Sequence, residues 1–237
     1  MDEVRRKLGG TLNDVAVAVA TGAMVRYFGE RGISHNELAE MDVRVACPVN
    51  TRPREAADRS PADDLHGNHV SMMFAQLPVG ERDPIARYER VRAALEEAKA
   101  SHVASALESI LDFGEWWPSA LSRAVARSEM SRRTANLVLT NVPGPPMPLY
   151  LLGARLLESY PVVPLMPGQA VGIALLSYAG HLYFGFNAEW EALPELHDLV
   201  LATTAAFDEL RGAALGVPAT NGRAAARSEP RMTPRPC

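Results

Sequence analysis

Several features that would narrow the function at once are missing from this sequence. Positive charge is not in excess: 24 Lys and Arg stand against 28 Asp and Glu, a net charge of −4. With no basic stripe interleaved with aromatics either, a dedicated nucleic-acid binder is excluded. Only two cysteines occur, Cys47 and Cys237. Their distance and number rule out a disulfide framework and fit a reducing compartment. The longest apolar runs, such as Val15 to Val25, fall short of the roughly 20 residues that a bilayer-spanning helix needs. The opening Met1-Asp2-Glu3-Val4-Arg5-Arg6-Lys7 is polar and leads straight into a helix pattern, unlike a signal peptide.

Catalytic signatures are equally scarce. There is no Gly-x-Ser-x-Gly elbow and no phosphate loop. The six histidines are His35, His66, His69, His102, His181 and His197. Only His66-x-x-His69 approaches a metal-ligand spacing, and it lacks Cys or carboxylate partners at a usual separation. The reading is therefore of surface or loop histidines, with no catalytic residue and no metal site in this chain.

What is present is a chain of 237 residues, 47% hydrophobic. At roughly 100–200 residues per domain this allows one large domain or two small ones with a sizeable core. The organising stretch runs from Asn136 to Asn187. It opens with a short apolar strand, Leu137 to Thr140, and breaks into Asn141-Val142-Pro143-Gly144-Pro145-Pro146. A long apolar segment, Pro148 to Pro164, follows. Two strands come next, Ala170 to Tyr178 and Leu182 to Phe186, joined by Ala179-Gly180-His181 as a hairpin.

Before that block, Thr11 and Asn13 are both candidate helix caps after Gly9-Gly10. The helix Asp14 to Gly29 is small and apolar on every side, which predicts burial, and Gly29 or Gly32 ends it. Val43 to Val49 reads as a strand in which Pro48 marks an edge position or strand end. A charged surface loop, 54–66, leads to Gly67-Asn68-His69 and a strand from Val70 to Pro78. Asp83-Pro84 is a strong helix start. The helix it opens is amphipathic and reaches toward Leu111, with a break at Gly114-Glu115-Trp116-Trp117-Pro118 and a further helix to Ser128. The last helix starts at Leu193-Pro194-Glu195 and stops between Gly212 and Gly216. This order predicts an α/β fold, an α+β two-layer sandwich with a mixed sheet packed against helices. Residues 1–216 form the domain and 217–237 a disordered tail.

Two motifs have both a structural and a functional reading, and a third only a structural one. Asn13-Asp14 at a helix mouth is a simple cap, or it shapes a site where free N–H groups point. Asn141-Val142-Pro143-Gly144-Pro145-Pro146 is a rigid crossover, or the preformed wall of a ligand tunnel with Asn141 as a polar contact. Gly67-Asn68 before a strand is a tight turn.

Together these residues resemble one family, the C-terminal half of the bacterial wax ester synthase/diacylglycerol acyltransferases. The resemblance rests on Leu12-Asn13-Asp14-Val15, Ala46-Cys47-Pro48-Val49-Asn50-Thr51-Arg52 and Gly67-Asn68-His69-Val70-Ser71. It also rests on Thr140-Asn141-Val142-Pro143-Gly144-Pro145, Gly168-Gln169-Ala170 and Leu176-Ser177-Tyr178-Ala179-Gly180. These run in family order over roughly residues 3–212. The resemblance implies a chloramphenicol-acetyltransferase-like fold in which two similar halves enclose a tunnel. Acyl-CoA, a substrate rather than a cofactor, and an alcohol or diacylglycerol enter from opposite sides.

The family's catalytic histidine lies in a His-His-x-x-x-Asp-Gly motif of the other, N-terminal half, which is absent here, so no histidine of this chain inherits the role. What carries over is Asn13 and Asp14 as active-site support, with Asn68, Asn141, Pro143, Gly144, Pro145 and Gln169 as tunnel wall or substrate-binding positions. The implied partner is the half carrying His-His-x-x-x-Asp-Gly. Met1 falls where the family enters its second half, so the expectation is a fragment or split-gene product, inactive alone. The implied location is the cytoplasm with peripheral contact at membranes or lipid droplets. Two rivals stay open: a non-catalytic lipid-binding or interaction module that keeps the fold, and an acyltransferase-fold protein acting on a different acceptor.

Overall fold

The computed structural model describes residues 1–50, 70–100, 135–166 and 168–216. In chain order the elements are α1 (Asp2–Leu8), α2 (Leu12–Glu30), α3 (His35–Glu40), β1 (Arg44–Asn50), β2 (Val70–Gln76) and α4 (Pro84–Ala100). They are followed by β3 (Leu137–Pro143), β4 (Tyr150–Leu151), β5 (Ala154–Arg155), β6 (Val171–Tyr178), β7 (His181–Ala188) and α5 (Leu196–Leu215). Several expectations fall outside the described residues: His66 to His69 with Asn68, the helix beyond Ala100, Trp116-Trp117 and the tail 217–237.

α2 forms where the sequence offers small apolar residues without a break. Thr11 caps it: its hydroxyl accepts from Asp14 N–H at 3.2 Å, and Asp14 Oδ2 accepts from Thr11 N–H at 2.6 Å. Of the two candidate caps, Thr11 fills the position and Asn13 lies inside the first turn. Asp14 to Met24 are all buried, as an all-round apolar helix requires, and each fully buried Val contributes about 1.5–3 kcal/mol. Thr21, the one hydroxyl among them, donates to Val17 C=O at 2.8 Å, which satisfies it without water. α4 starts as its sequence predicts, with Asp83 Oδ1 accepting from the N–H groups of Ile85 and Ala86 at 3.0 and 2.8 Å.

The sheet has five strands in the order β2-β1-β3-β6-β7. β1 with β2 and β6 with β7 are antiparallel, and β1 with β3 and β3 with β6 are parallel, so it is mixed. The β6–β7 hairpin turns on Ala179 and Gly180, both at positive φ. α1, α2, α4 and α5 share a core with one face of the sheet, through Val45, Cys47, Leu137, Leu139, Ile173 and Leu175. On the other face Ala46 and Val138 pack with Val163 and Leu165 from the extended segment before β6.

Pro48 lies inside β1, and Pro143 is the last residue of β3. β1 and β3 pair only at Val45/Leu137 and Ala46/Val138. Beyond that point β1 keeps register with β2 and β3 with β6. Pro48 and Pro143 both lie in this parted region, where each strand has a single paired neighbour and a missing N–H leaves no ladder bond broken on the open side. The strand expected to end at Thr140 therefore continues through Asn141 and Val142 to Pro143, because β6 holds it.

A buried charge ties the helices together. Arg87 of α4 is 3% exposed. It donates to the Glu81 and Arg82 carbonyls at 3.1 and 3.4 Å and meets Glu209 of α5 at 3.3 Å. Burial lowers its pKa and Glu209 opposes the shift. A Cβ on Gly22 of α2 would lie 3.0 Å from the Arg87 guanidinium and 3.1 Å from Ala206, so the three helices pack closely at this glycine and a side chain there would press on both neighbours. No single helix among the described residues is long and apolar enough to cross a membrane.

Candidate functional site

Besides the Arg87 cluster, buried polar groups of the described residues converge at the helix mouth of α2. Gly9 and Gly10 turn the chain into it at φ of +79° and +81°, a region that side-chain-bearing residues rarely adopt. A Cβ on Gly10 would also stand 2.7 Å from the Tyr88 hydroxyl and 2.8 Å from Asp14 Oδ2. The Tyr88 hydroxyl donates to Gly9 C=O at 2.5 Å, pinning the turn to α4. Burial and the nearby Asp14 charge raise the Tyr88 pKa.

Asn13 and Asp14 do different things at this mouth. The Asn13 side chain lies beside the Cys47 thiol, whose pKa burial pushes up to about 12 against the opposing influence of Asn13. Cys47 is thus an uncharged packing group on β1. Asp14 is 3% exposed. One of its oxygens belongs to the helix cap, and the other, Oδ1, is buried without a hydrogen-bond partner. A carboxylate oxygen taken from water and left unbonded is costly, and among the described residues Asp14 Oδ1 has no hydrogen-bond partner.

The Asn141 to Pro145 stretch lies at the same end of the sheet, past the point where β1 and β3 part. Its course is fixed by contacts with the β6–β7 turn. Gly144 N–H donates to Ser177 Oγ at 3.1 Å, and Ala179 N–H donates to Pro145 C=O at 3.1 Å. Asn141 and Gly144 are half-buried and Pro143 is exposed. Gln169 lies apart from these residues. It precedes β6 by two positions, whereas Pro143 pairs with Ser177 near the far end of that strand. That separation is roughly 25 Å at the usual rise per residue. Its side chain is used locally, Oε1 accepting from Met166 N–H at 3.0 Å.

Beside the mouth, sequence reading missed an apolar groove. About 900 Å³ in volume, it runs between β7, α1 and α5. Its walls include Leu12, Leu182, Phe184, Phe186 and Phe207, with Asp2 and Glu3 at its rim. The alternation Leu182, Phe184, Phe186 was a signal for an inward apolar row, but not for its being left uncovered. Of the described histidines, His35 lies half-buried on α3, His181 is exposed at the start of β7 with Nδ1 at 3.1 Å from Ala179 C=O, and His197 is exposed on α5. Among the described residues no three His, Cys, Asp or Glu side chains gather as a metal site would need.

The mixed sheet with helices on one face and a buried polar helix mouth defines a chloramphenicol-acetyltransferase-like half-sandwich. Solved structures share the fold. The wax ester synthase/diacylglycerol acyltransferase of Marinobacter aquaeolei aligns over 90% of this chain and 46% of its own, with a TM-score of 0.64 at 24% identity. The first condensation domain of the calcium-dependent antibiotic synthetase aligns over 92% of this chain and 42% of its own, with a TM-score of 0.51 at 17% identity. The model of the WS/DGAT C-terminal domain matches residues 66–211, and the chain belongs to that family.

A putative diacylglycerol O-acyltransferase of Mycobacterium tuberculosis is 36% identical over 208 residues, covering 86% of this chain and 40% of that protein. The O-acyltransferase WSD of Acinetobacter baylyi is 32% identical over 200 residues, covering 83% and 41%. The chain thus spans about 40% of the length of the curated relatives it matches.

Proposed function

We propose that this chain is the C-terminal half of an acyl-CoA-dependent O-acyltransferase that makes triacylglycerol or wax ester. Family membership supports this reaction class. The observation that carries the reading in this structure is Asp14, buried at the α2 mouth with one oxygen in the cap and the other unpartnered. In the reaction the acceptor hydroxyl oxygen forms a bond to the thioester carbonyl carbon and the carbon–sulfur bond breaks. The hydroxyl proton passes through a general base to the departing CoA thiolate. The oxyanion formed on the way needs donors. This chain supplies no base, and the base belongs to the half carrying His-His-x-x-x-Asp-Gly.

In this reading Asn13 and Asp14 are positioning residues. Asp14 Oδ1 receives a donor from the other half, and Asn13 holds the mouth to β1 through Cys47. Asn141 to Pro145 form wall, and Gln169 braces the start of β6 from outside the mouth. The assembled enzyme works in the cytoplasm, in peripheral contact with membrane or lipid droplets.

The test is reconstitution with the complementary half, acyl-CoA and a diacylglycerol or long-chain alcohol. The isolated chain should be inactive, and turnover by it alone at enzymatic rates, roughly 1–10³ per second, would sink the proposal. In the assembled enzyme Asp14→Asn should lower kcat at least 10-fold. Thr11→Ala, which removes only the cap hydroxyl, should lower stability with kcat nearly intact. Equal loss of kcat in both variants would reduce Asp14 to a helix cap.

A second reading has one specific observation in its favour. The apolar groove beside β7 suits a non-catalytic lipid-binding module. Under this alternative the chain binds a long-chain alcohol without the complementary half, and Phe184→Glu abolishes that binding.

A further inference from the structure

The chain bends by 101° between α1 and α2. The corner is Gly9-Gly10, two exposed glycines at positive φ. Glycine has more backbone freedom than any other residue, so the hold on this corner has to come from outside it.

Tyr88 of α4 supplies that hold. It is 1% exposed, and its hydroxyl donates to Gly9 C=O at 2.5 Å. Burial and the Asp14 charge raise its pKa, so the hydroxyl keeps its proton and remains a donor. The helix beneath it is a firm base. Asp83 caps its start, Val91 and Leu95 are fully buried, and Arg87, next to Tyr88 in the chain, meets Glu209 of α5.

The corner leads straight to Asp14. Thr11, the residue after Gly10, donates its N–H to Asp14 Oδ2 at 2.6 Å, a short bond of the kind a charged acceptor makes. A carboxylate is planar, so holding Oδ2 sets the direction of Oδ1, the buried oxygen without a partner. The space that a Cβ would need at Gly10 is closed by the Tyr88 hydroxyl on one side, at 2.7 Å, and by Asp14 Oδ2 on the other, at 2.8 Å. Tyr88, the glycine corner and Asp14 thus form one connected unit.

Resting on the acyltransferase reading above, we propose that Tyr88 is a further positioning residue of the reaction: by anchoring Gly9 it aims the free oxygen of Asp14. A small misplacement at a reacting centre lowers the rate of the chemical step, whereas the hold on substrate lies elsewhere. The signature is therefore a fall in kcat at constant KM.

The test pairs a measurement on the chain alone with one on the assembled enzyme. In the chain alone, Tyr88→Phe should accelerate amide exchange at Thr11 at least 10-fold. Thr21→Val removes a buried hydroxyl bond from the same helix and should leave Thr11 exchange at the parent rate. In the enzyme assembled with the complementary half, palmitoyl-CoA and hexadecanol, Tyr88→Phe should lower kcat about 10-fold with KM within about 2-fold of the parent. Thr21→Val should keep the parent kcat. The Tyr88→Phe, Asp14→Asn double variant should be no slower than Asp14→Asn alone, because a residue that acts through Asp14 then has nothing left to aim. The proposal is overturned if Tyr88→Phe leaves Thr11 exchange or kcat unchanged, if the two losses in kcat multiply, or if Thr21→Val slows the enzyme as much. An assembly that forms no ester removes the acyltransferase reading, and accelerated exchange at Thr11 would still leave Tyr88 as the group that holds Asp14.

Discussion

Gly144 lies so close to Ser177 that a Cβ on it would stand 2.2 Å from the Ser177 carbonyl oxygen. Two links bind these residues: β3 pairs Pro143 with Ser177, and the Gly144 N–H donates to the Ser177 hydroxyl. Gly144→Ala forces backbone against backbone and should cost about 1–3 kcal/mol, as overpacking does. Ser177→Ala removes one hydrogen bond and should cost about 1 kcal/mol. Urea unfolding of the two variants would check the order. An alanine at 144 that costs nothing would mean that the bend is loose.

The ion pair between α4 and α5 predicts an asymmetry. Arg87 is buried, whereas the Glu209 side chain is 32% exposed and also meets Arg26 at 3.2 Å. Removing Glu209 leaves a buried cation without its counter-charge, and Glu209→Ala should cost about 3 kcal/mol. Arg87→Met leaves Glu209 with Arg26 and solvent, and should cost about 1 kcal/mol. Thermal unfolding of both variants decides. The reverse order would show that the Arg87 contacts to the Glu81 and Arg82 carbonyls outweigh the pair.

Cys47 links stability to pH. Burial raises its pKa from the ordinary 9.0 to about 12, so the folded state keeps the proton that the unfolded state releases. The contribution is complete below pH 8.5–9 and is lost as pH rises toward 12, by about 1.4 kcal/mol per pH unit. Denaturant unfolding between pH 8 and pH 10.5 should show this slope in a Cys237→Ser background. Adding Cys47→Ala should remove that part of it. A thiol reagent should label Cys47 only as fast as the chain opens.

Tyr178 predicts a local effect on the β4–β5 hairpin. Tyr178→Phe frees the Leu149 N–H and the Leu156 C=O at once. Amide exchange at Leu149 should accelerate at least 10-fold, with a loss of global stability of about 1 kcal/mol. Unchanged exchange would show that the hairpin is held by its own bonds alone.

Much of this was open to reading from the residues. α2 is apolar on all sides, and such a helix has nowhere to go but inside. Asp83-Pro84 and Thr11 place helix starts because capping is local chemistry. Ala179-Gly180 sits between two apolar runs and makes the hairpin. The motifs around Asn13-Asp14 and Asn141 to Pro145 pointed to the family, and the family model agrees.

Other features were not open in that way. Pro48 read as an edge position or strand end because proline cannot donate to a ladder, and the bend was expected to begin at Asn141. Pro48 instead lies inside β1 and β3 runs on to Pro143, because β1 and β3 part beyond Ala46 and Val138, a relation between segments some 90 residues apart in sequence. Gln169 stood in a family motif with the other site residues, yet strand direction carries it to the opposite end of β6.

Local side-chain chemistry settles which segments are helix or strand, since caps, turns and all-round apolar runs act within a few residues. Only the tertiary structure settles which apolar residues are covered. Pro148 to Pro164 is as apolar as parts of α2, yet α2 is buried among helices while Tyr150, Leu151 and Leu152 stand in solvent. Hydropathy records the cost of exposure, and the packing of distant segments decides whether it is met within this chain.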